Sequence, residues 1–233
     1  SSTGLRAYAL RLLNPQHKGV NVAQLQKLIA LGDEELTFEA VRTLVARSAD
    51  VAAKVVLAEL AKDGELPVRT RAEAIIGLTV APHPSKEVVL QTLLELIQSS
   101  ERAIREEAMR SFRGAVVPDA SRKMLQAVVA KHPESADLLE FSDPQKRVSL
   151  PPLQDTAAWQ KRIDSAKGEP DLEVGRRLFF RQNMAACVSC HRHDGRGAVV
   201  GPELTKIAAR GDGRWLLEAI LQPGKDVPPQ FHP

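Results

Sequence analysis

An alanine recurs on one helical face at Ala9, Ala40, Ala74 and Ala108, at spacings of 31, 34 and 34 residues. One position later come Leu10, Val41, Ile75 and Met109, and four positions after the alanines come Leu13, Leu44, Leu78 and Phe112. Positions i, i+1 and i+4 share one helical face, and a small residue at the same place in each unit lets neighbouring helices approach closely. Partner segments of similar length lie between, at 22–31, 52–61, 86–97 and 121–130. Breakers separate them at Gly32-Asp33, Asp63-Gly64, Pro82-His83-Pro84 and His132-Pro133, with Ser85 and Ser121 as N-cap candidates. Helix pairs repeating at this period cannot bury their apolar faces alone and must stack. Residues 1–131 are therefore expected to form an all-α solenoid, and an aromatic share of only 4% suits closely packed helices.

The array resembles HEAT repeats, although those units usually run to roughly 40 residues or more. The tetratricopeptide and ankyrin signatures are absent. The first helix has no partner before it and reads as half a repeat. Arg42, Arg71, Arg105, Arg110 and Arg113 read as a solvated face with intrahelical pairs such as Arg102 with Glu106. Residues 132–165 read as a proline-containing linker with short helices. Pro133, Pro144, Pro151 and Pro152 interrupt any long helix there, leaving room for one at 136–141 and one around Trp159.

The two cysteines of the chain both lie in Cys187-Val188-Ser189-Cys190-His191. Two thiols spaced C-x-x-C and followed by histidine form the attachment signature of c-type haem. Each thiol can form a thioether with one of two neighbouring vinyl groups, and the next residue is then held beneath the iron. Cys187 and Cys190 are assigned to covalent attachment of one haem c, and His191 to proximal ligation of the iron. A thioredoxin-like site would need a βαβ neighbourhood. A closed zinc site using Cys187, Cys190 and His193 would need a fourth ligand. A disulfide across so short a loop would staple almost nothing.

Gly195-Arg196-Gly197 reads as a flexible loop, and Gly201-Pro202-Glu203-Leu204 begins ten residues after His191. A proximal histidine needs an acceptor for its other N–H, and the Pro202 carbonyl can serve. At this distance the Gly-Pro pair resembles the proximal loop of class I cytochromes c, with Leu204 as an apolar wall. The run from Cys187 to Phe231 resembles the planctomycete/verrucomicrobium-type haem-binding domain. Its pattern is matched at Cys187, Cys190, His191, Gly201, Pro202, Leu204, Ile207, Arg210, Leu216, Leu217, Glu218, Ile220, Leu221 and Pro223. The resemblance covers about the last 65 residues and implies a small class I cytochrome c-like helical domain over 166–233. In that family the domain often follows helical repeats in large exported proteins with a dehydrogenase-like propeller. This chain has no propeller, and it stops at Pro233 where members usually continue. A helix opening at Pro170-Asp171 and containing GRRLFF would precede the motif, and one over 214–221 would follow it. Trp215 on that second helix could contact the macrocycle or cover the helix from the core side.

The formal charge of +3 makes no case for nucleic acid, and no apolar run approaches the roughly 20 residues of a membrane span. The start carries no signal peptide. Haem attachment of this type occurs outside the cytoplasm, so the expected location is periplasmic or otherwise exported. No methionine occurs between His191 and Pro233. Met184 is on the wrong side of the motif, His193 should face away from the iron, and His232 is the distal candidate in a Pro-rich loop. Catalytic sets and phosphate loops are undetectable. The chain therefore reads as an electron-transfer module, not an enzyme by itself, whose partner is a redox protein such as a dehydrogenase domain. A haem enzyme or gas sensor with an open distal position, and a protein-binding scaffold, are the alternatives. Arg176, Arg177, Arg181, Arg192 and Arg196 crowd the motif and read either as a steering surface for an acidic partner or as a solvated face.

Overall fold

The structure is a computed structural model and describes residues 2–79, 86–142, 149–166, 169–182 and 184–225. It is almost entirely helical. Four helices, α1 (Thr3–Leu12), α3 (Glu34–Ala46), α5 (Val68–Ile76) and α7 (Arg102–Arg110), pack side by side in chain order. Their partners α2 (Val22–Ile29), α4 (Val51–Lys62), α6 (Lys86–Leu96) and α8 (Asp119–Lys131) alternate with them in sequence. α2 packs on α3, α4 on α5 and α6, and α6 on α7, so the apolar faces of the two sets close one continuous core.

Local chemistry starts most of these helices. Asn21 caps α2 in a capping box with Gln24, and Asp33 and Asp50 cap α3 and α4 through Leu36 N–H and Ala52 N–H. α8 begins after Pro118, so Ser121 is a buried residue within its first turn and not its cap. Ser85 and the Pro82–Pro84 breaker lie outside the described residues.

The buried stripe follows a 34-residue period more strictly than the alanines suggest. Ala7, Val41, Ile75 and Met109 are equivalent, as are Leu10, Leu44, Leu78 and Phe112, and all are buried. The expected first-unit register through Ala9 and Leu13 is therefore corrected: Ala9 is exposed and Leu13 is 43% exposed. α1 packs on α3 alone among its own row, and the spacing of 31 placed its alanine off the contact face.

The reading of the repeat arginines as a solvated face is also corrected in part. Arg42 and Arg105 are buried. Arg105 donates to the Ser99 and Ser100 carbonyls and to Glu134, and so ties α7 to the chain after α8. The expected Arg102–Glu106 pair is present at 2.7 Å.

After α8 the chain makes α9 (Ala136–Ser142) against α7 and then α10 (Thr156–Asp164). Trp159 Nε1 donates to the Pro152 carbonyl at 3.0 Å, which fixes α10 on the proline-bearing segment. The last two helices are α11 (Leu172–Phe180) and α12 (Gly213–Leu221). α10 packs against α12, and Gln222 Nε2 donates to Thr156 Oγ1. The short helix around Trp159 thus packs on the C-terminal segment.

Candidate haem site

Asp171 opens α11 by accepting from the N–H groups of Glu173 and Val174. The helix ends at Arg181, whose carbonyl accepts from the N–H groups of Met184 and Ala186. Ala186 is left-handed at φ 52°, which turns the chain into a single 3₁₀ turn, Cys187–Ser189. The Cys187 carbonyl accepts from both Cys190 N–H (3.1 Å) and His191 N–H (2.9 Å). That one turn gathers both thiols and the imidazole. Neither thiol is in a disulfide; Cys187 is half-buried and Cys190 exposed.

The segment after His191 is a tight hairpin and not a flexible loop. β1 (Arg192–His193) pairs antiparallel with β2 (Arg196–Gly197), in the register Arg192 to Gly197 and His193 to Arg196. Asp194 and Gly195 at its tip both have positive φ, at 50° and 75°. Two such residues between paired strands make the turn that matches strand twist. The Asp-Gly dipeptide carried this signal in the sequence. Gly197 is required by geometry: its φ is 116°, and a Cβ there would lie 2.2 Å from the His191 carbonyl oxygen. Ala198 N–H then donates to the Val188 carbonyl, and Gly201 N–H to the Cys190 carbonyl at 2.7 Å.

Gly201 and Pro202 hold the histidine as expected. His191 Nδ1 lies 2.9 Å from the Pro202 carbonyl, which can only accept, so Nδ1 carries the proton and Nε2 is left to bind metal. A Cβ on Gly201 would sit 2.5 Å from His191 Cε1, so glycine here makes the cradle in which the ring lies. His193 packs 5.6 Å from Phe179 and 6.5 Å from Phe180 between ring centroids, turned toward α11. Leu204 is half-buried, and its N–H donates to the Arg192 carbonyl. Trp215 lies in the first turn of α12, capped by Asp212, with its ring folded over Gly211. His232 lies outside the described residues.

Residues 172–231 match the Cytochrome c family model. This segment is a c-type haem-binding domain, and its cofactor is covalently bound haem c. Comparison with curated proteins and with solved structures gives no significant match. The residues fit the group. Cys187 and Cys190 are free thiols within one turn, Nε2 of His191 is available, and Gly201 clears the imidazole's position. When bound, haem supplies an iron that cycles between ferric and ferrous states with one electron. A cleft of about 730 Å³ between α1, α3, α5 and this domain is lined by Val188, Phe180 and Arg196, but by none of Cys187, Cys190 or His191.

The arginines around the motif have a role that the sequence reading did not assign. Arg176, Arg177, Arg181 and Arg196 are turned into the repeats, and Arg192 alone of the five is exposed. Their acceptors are Glu73, Glu107 and Glu39, which are buried and spaced 34 residues apart on α5, α7 and α3. Arg196 reaches Glu39 Oε2 through Nε (2.9 Å) and Nη2 (2.6 Å), and Nη2 also meets the Glu39 carbonyl and Thr43 Oγ1. Arg176 binds Glu73. Arg181 binds Glu107 Oε2 at 2.6 Å and Ser111 Oγ at 3.1 Å, while Arg177 Nε lies 3.1 Å from Glu107 Oε1. Neither a solvated face nor a steering surface describes these four residues. The signal was present: each glutamate stands one position before a repeat alanine, and Leu5 stands there in the first unit.

Burial works to raise the Glu107 carboxyl, but the charges of Arg181, Arg110 and Arg177 outweigh it and hold the group below its ordinary value. Glu39 behaves alike: burial opposes ionisation, and Arg196, Arg42 and Arg11 prevail. Burial, followed by the nearby Arg196 charge, lowers the Arg42 guanidinium, even with Glu39 and Glu73 as partners. Arg42 also lies over the Phe180 ring at 4.7 Å.

Proposed function

We propose that the chain is an electron-transfer module in which a c-type cytochrome domain of the planctomycete/verrucomicrobium type is carried on a HEAT-like α-solenoid. Its place is within a larger exported protein of dehydrogenase type, in the periplasm or outside the cell. The observation that carries this reading is the proximal site itself: two thiols and an imidazole in one turn, with Nδ1 held by Pro202 and Nε2 free. The 34-residue unit and the alternating helix pairs support the solenoid. The exposed Cys190 thiol supports a haem edge open to a protein donor or acceptor. In the described residues, no helix is long and apolar enough to cross a membrane. The attachment chemistry supports export, since thioether formation of this kind belongs outside the cytoplasm.

The test has two parts. Mass spectrometry of the denatured protein should show the polypeptide plus one haem, and acid–acetone should extract none. Stopped-flow reduction should then be fast with a protein redox partner and leave no substrate turned over. A haem enzyme or sensor with an open distal position is favoured by one observation, the absence of methionine from His191 to Pro233. Carbon monoxide binding to the reduced protein at low concentration, undiminished in His232→Ala, would support that second reading. A reduced spectrum unaffected by carbon monoxide would exclude it.

A further inference from the structure

The proximal imidazole is held from two sides. On the ring side stands the Pro202 carbonyl, 2.9 Å from Nδ1. On the backbone side stands the β1–β2 hairpin. The α-carbon of Gly197 is pressed so closely on the His191 carbonyl that no Cβ fits, and Ala198 N–H is bonded to Val188, inside the motif. Any shift of the hairpin is therefore a shift of the backbone that carries His191. The hairpin is two residue pairs long, too short to be stable by its own hydrogen bonds. Something else has to hold it.

Arg196 is that hold. It is the strand residue immediately before Gly197, it is buried, and its guanidinium makes four contacts to one turn of α3, through both Glu39 Oε2 and the Glu39 carbonyl and through Thr43 Oγ1. Arg11 of α1 adds a weaker tether at the hairpin tip, with Nη1 3.5 Å from Asp194. The anchor thus lies 157 residues from the hairpin in sequence, on the repeats. We propose that Glu39 is a positioning residue for the proximal ligand: through Arg196 it fixes the hairpin against His191 and so sets the angle of the imidazole to the iron.

The rung formed by Glu73 is a built-in comparison. Glu73 is as buried as Glu39, occupies the same repeat position and binds an arginine of the same domain. Arg176, however, sits in the middle of α11, where its backbone belongs to the helix and touches no residue of the motif. If the glutamates only glue the domain to the repeats, the two rungs are interchangeable. If Glu39 positions His191, they are not.

The experiment uses the full haem-loaded chain as Glu39→Gln, Glu73→Gln and Arg196→Lys. The lysine variant keeps the charge and loses the planar fork that spans several acceptors, so it separates positioning from a change in field. Mass spectrometry first establishes one haem in each, which keeps failure of attachment distinct from failure of positioning. Two readouts follow: the midpoint potential, and the pattern of haem methyl proton shifts in the cyanide-bound ferric protein, which reports the orientation of the proximal imidazole plane. Glu39→Gln and Arg196→Lys should both rearrange the methyl pattern. Glu39→Gln should also raise the potential, because the cationic Arg196 and Arg42 left behind disfavour the ferric state. Glu73→Gln should lower the melting temperature by a comparable amount and leave the methyl pattern as in the wild type. A wild-type pattern in Glu39→Gln and Arg196→Lys, or an equal change in Glu73→Gln, overturns the proposal. Should Glu39→Gln not fold, Arg196→Lys against Glu73→Gln decides the same question.

Discussion

Replacing Glu107 by glutamine removes one charge at the place where three guanidiniums converge. Arg181 lies 2.6 Å from the carboxylate, Arg110 2.9 Å and Arg177 3.1 Å, and the side chain of Arg181 is fully buried. The Arg181 and Arg177 Nε atoms are buried without an aligned hydrogen-bond acceptor, so the carboxylate's charge does most of the compensation there. Glutamine keeps the shape and one acceptor oxygen but leaves these cations unbalanced. Breaking a buried pair from one side costs about 3–5 kcal/mol. For a chain of this length that is a fall in melting temperature of about 6–20 °C. The reverse deletion should be milder. Arg181→Met leaves Glu107 with Arg110 and Arg177 still in place, and removes the guanidinium that is most costly to bury. It should cost less than half as much. Chemical denaturation followed by helix ellipticity, and separately by the Soret band, measures both, and the two signals should move together because one network joins the two parts. Equal costs for the two variants, or a Glu107→Gln cost under about 1 kcal/mol, would refute the argument that charge balance in this cluster holds the domain.

Gly201→Ala should displace the His191 ring, whose Cε1 would lie 2.5 Å from the new carbon, and change the Soret spectrum while leaving the helix content intact. Gly197→Ala, strained by a φ of 116° as well as by its contact with the His191 carbonyl, should lower both the melting temperature and the yield of haem-loaded protein. The folded-state values of Glu39 and Glu107 are lowered, so the unfolded chain binds more protons in acid. The stability they contribute should be fully present above the ordinary glutamate value of about 4.3 and be lost as pH falls below it through the lowered values, as read by thermal melts across that range. A protease nick in the proline-bearing stretch between α9 and α10 should leave the two pieces bound to one another in size exclusion at neutral pH, because the Arg–Glu contacts do not cross the cut covalently yet remain buried. Release of the coloured piece on nicking alone would contradict this.

What the sequence by itself determined lies within a few residues of each signal. The C-x-x-C-H turn, the Gly-Pro carbonyl behind the histidine, the Asp and Asn caps and the 34-residue period all act over one or two helical turns, where backbone geometry leaves little choice. Even there, the reading went wrong where two local signals competed. Ala9 was aligned by residue type, whereas burial follows Ala7 and Leu10, and Gly195-Arg196-Gly197 was read as flexible although Asp194-Gly195 makes it a two-residue turn. The tertiary structure alone decided which arginine meets which glutamate. Those bonds join residues 157, 103 and 74 positions apart. A charged side chain on a helix carries the same local pattern whether it faces water or a partner. Only the docking of the cytochrome domain on the repeats removes the water and turns three periodic glutamates into its anchors.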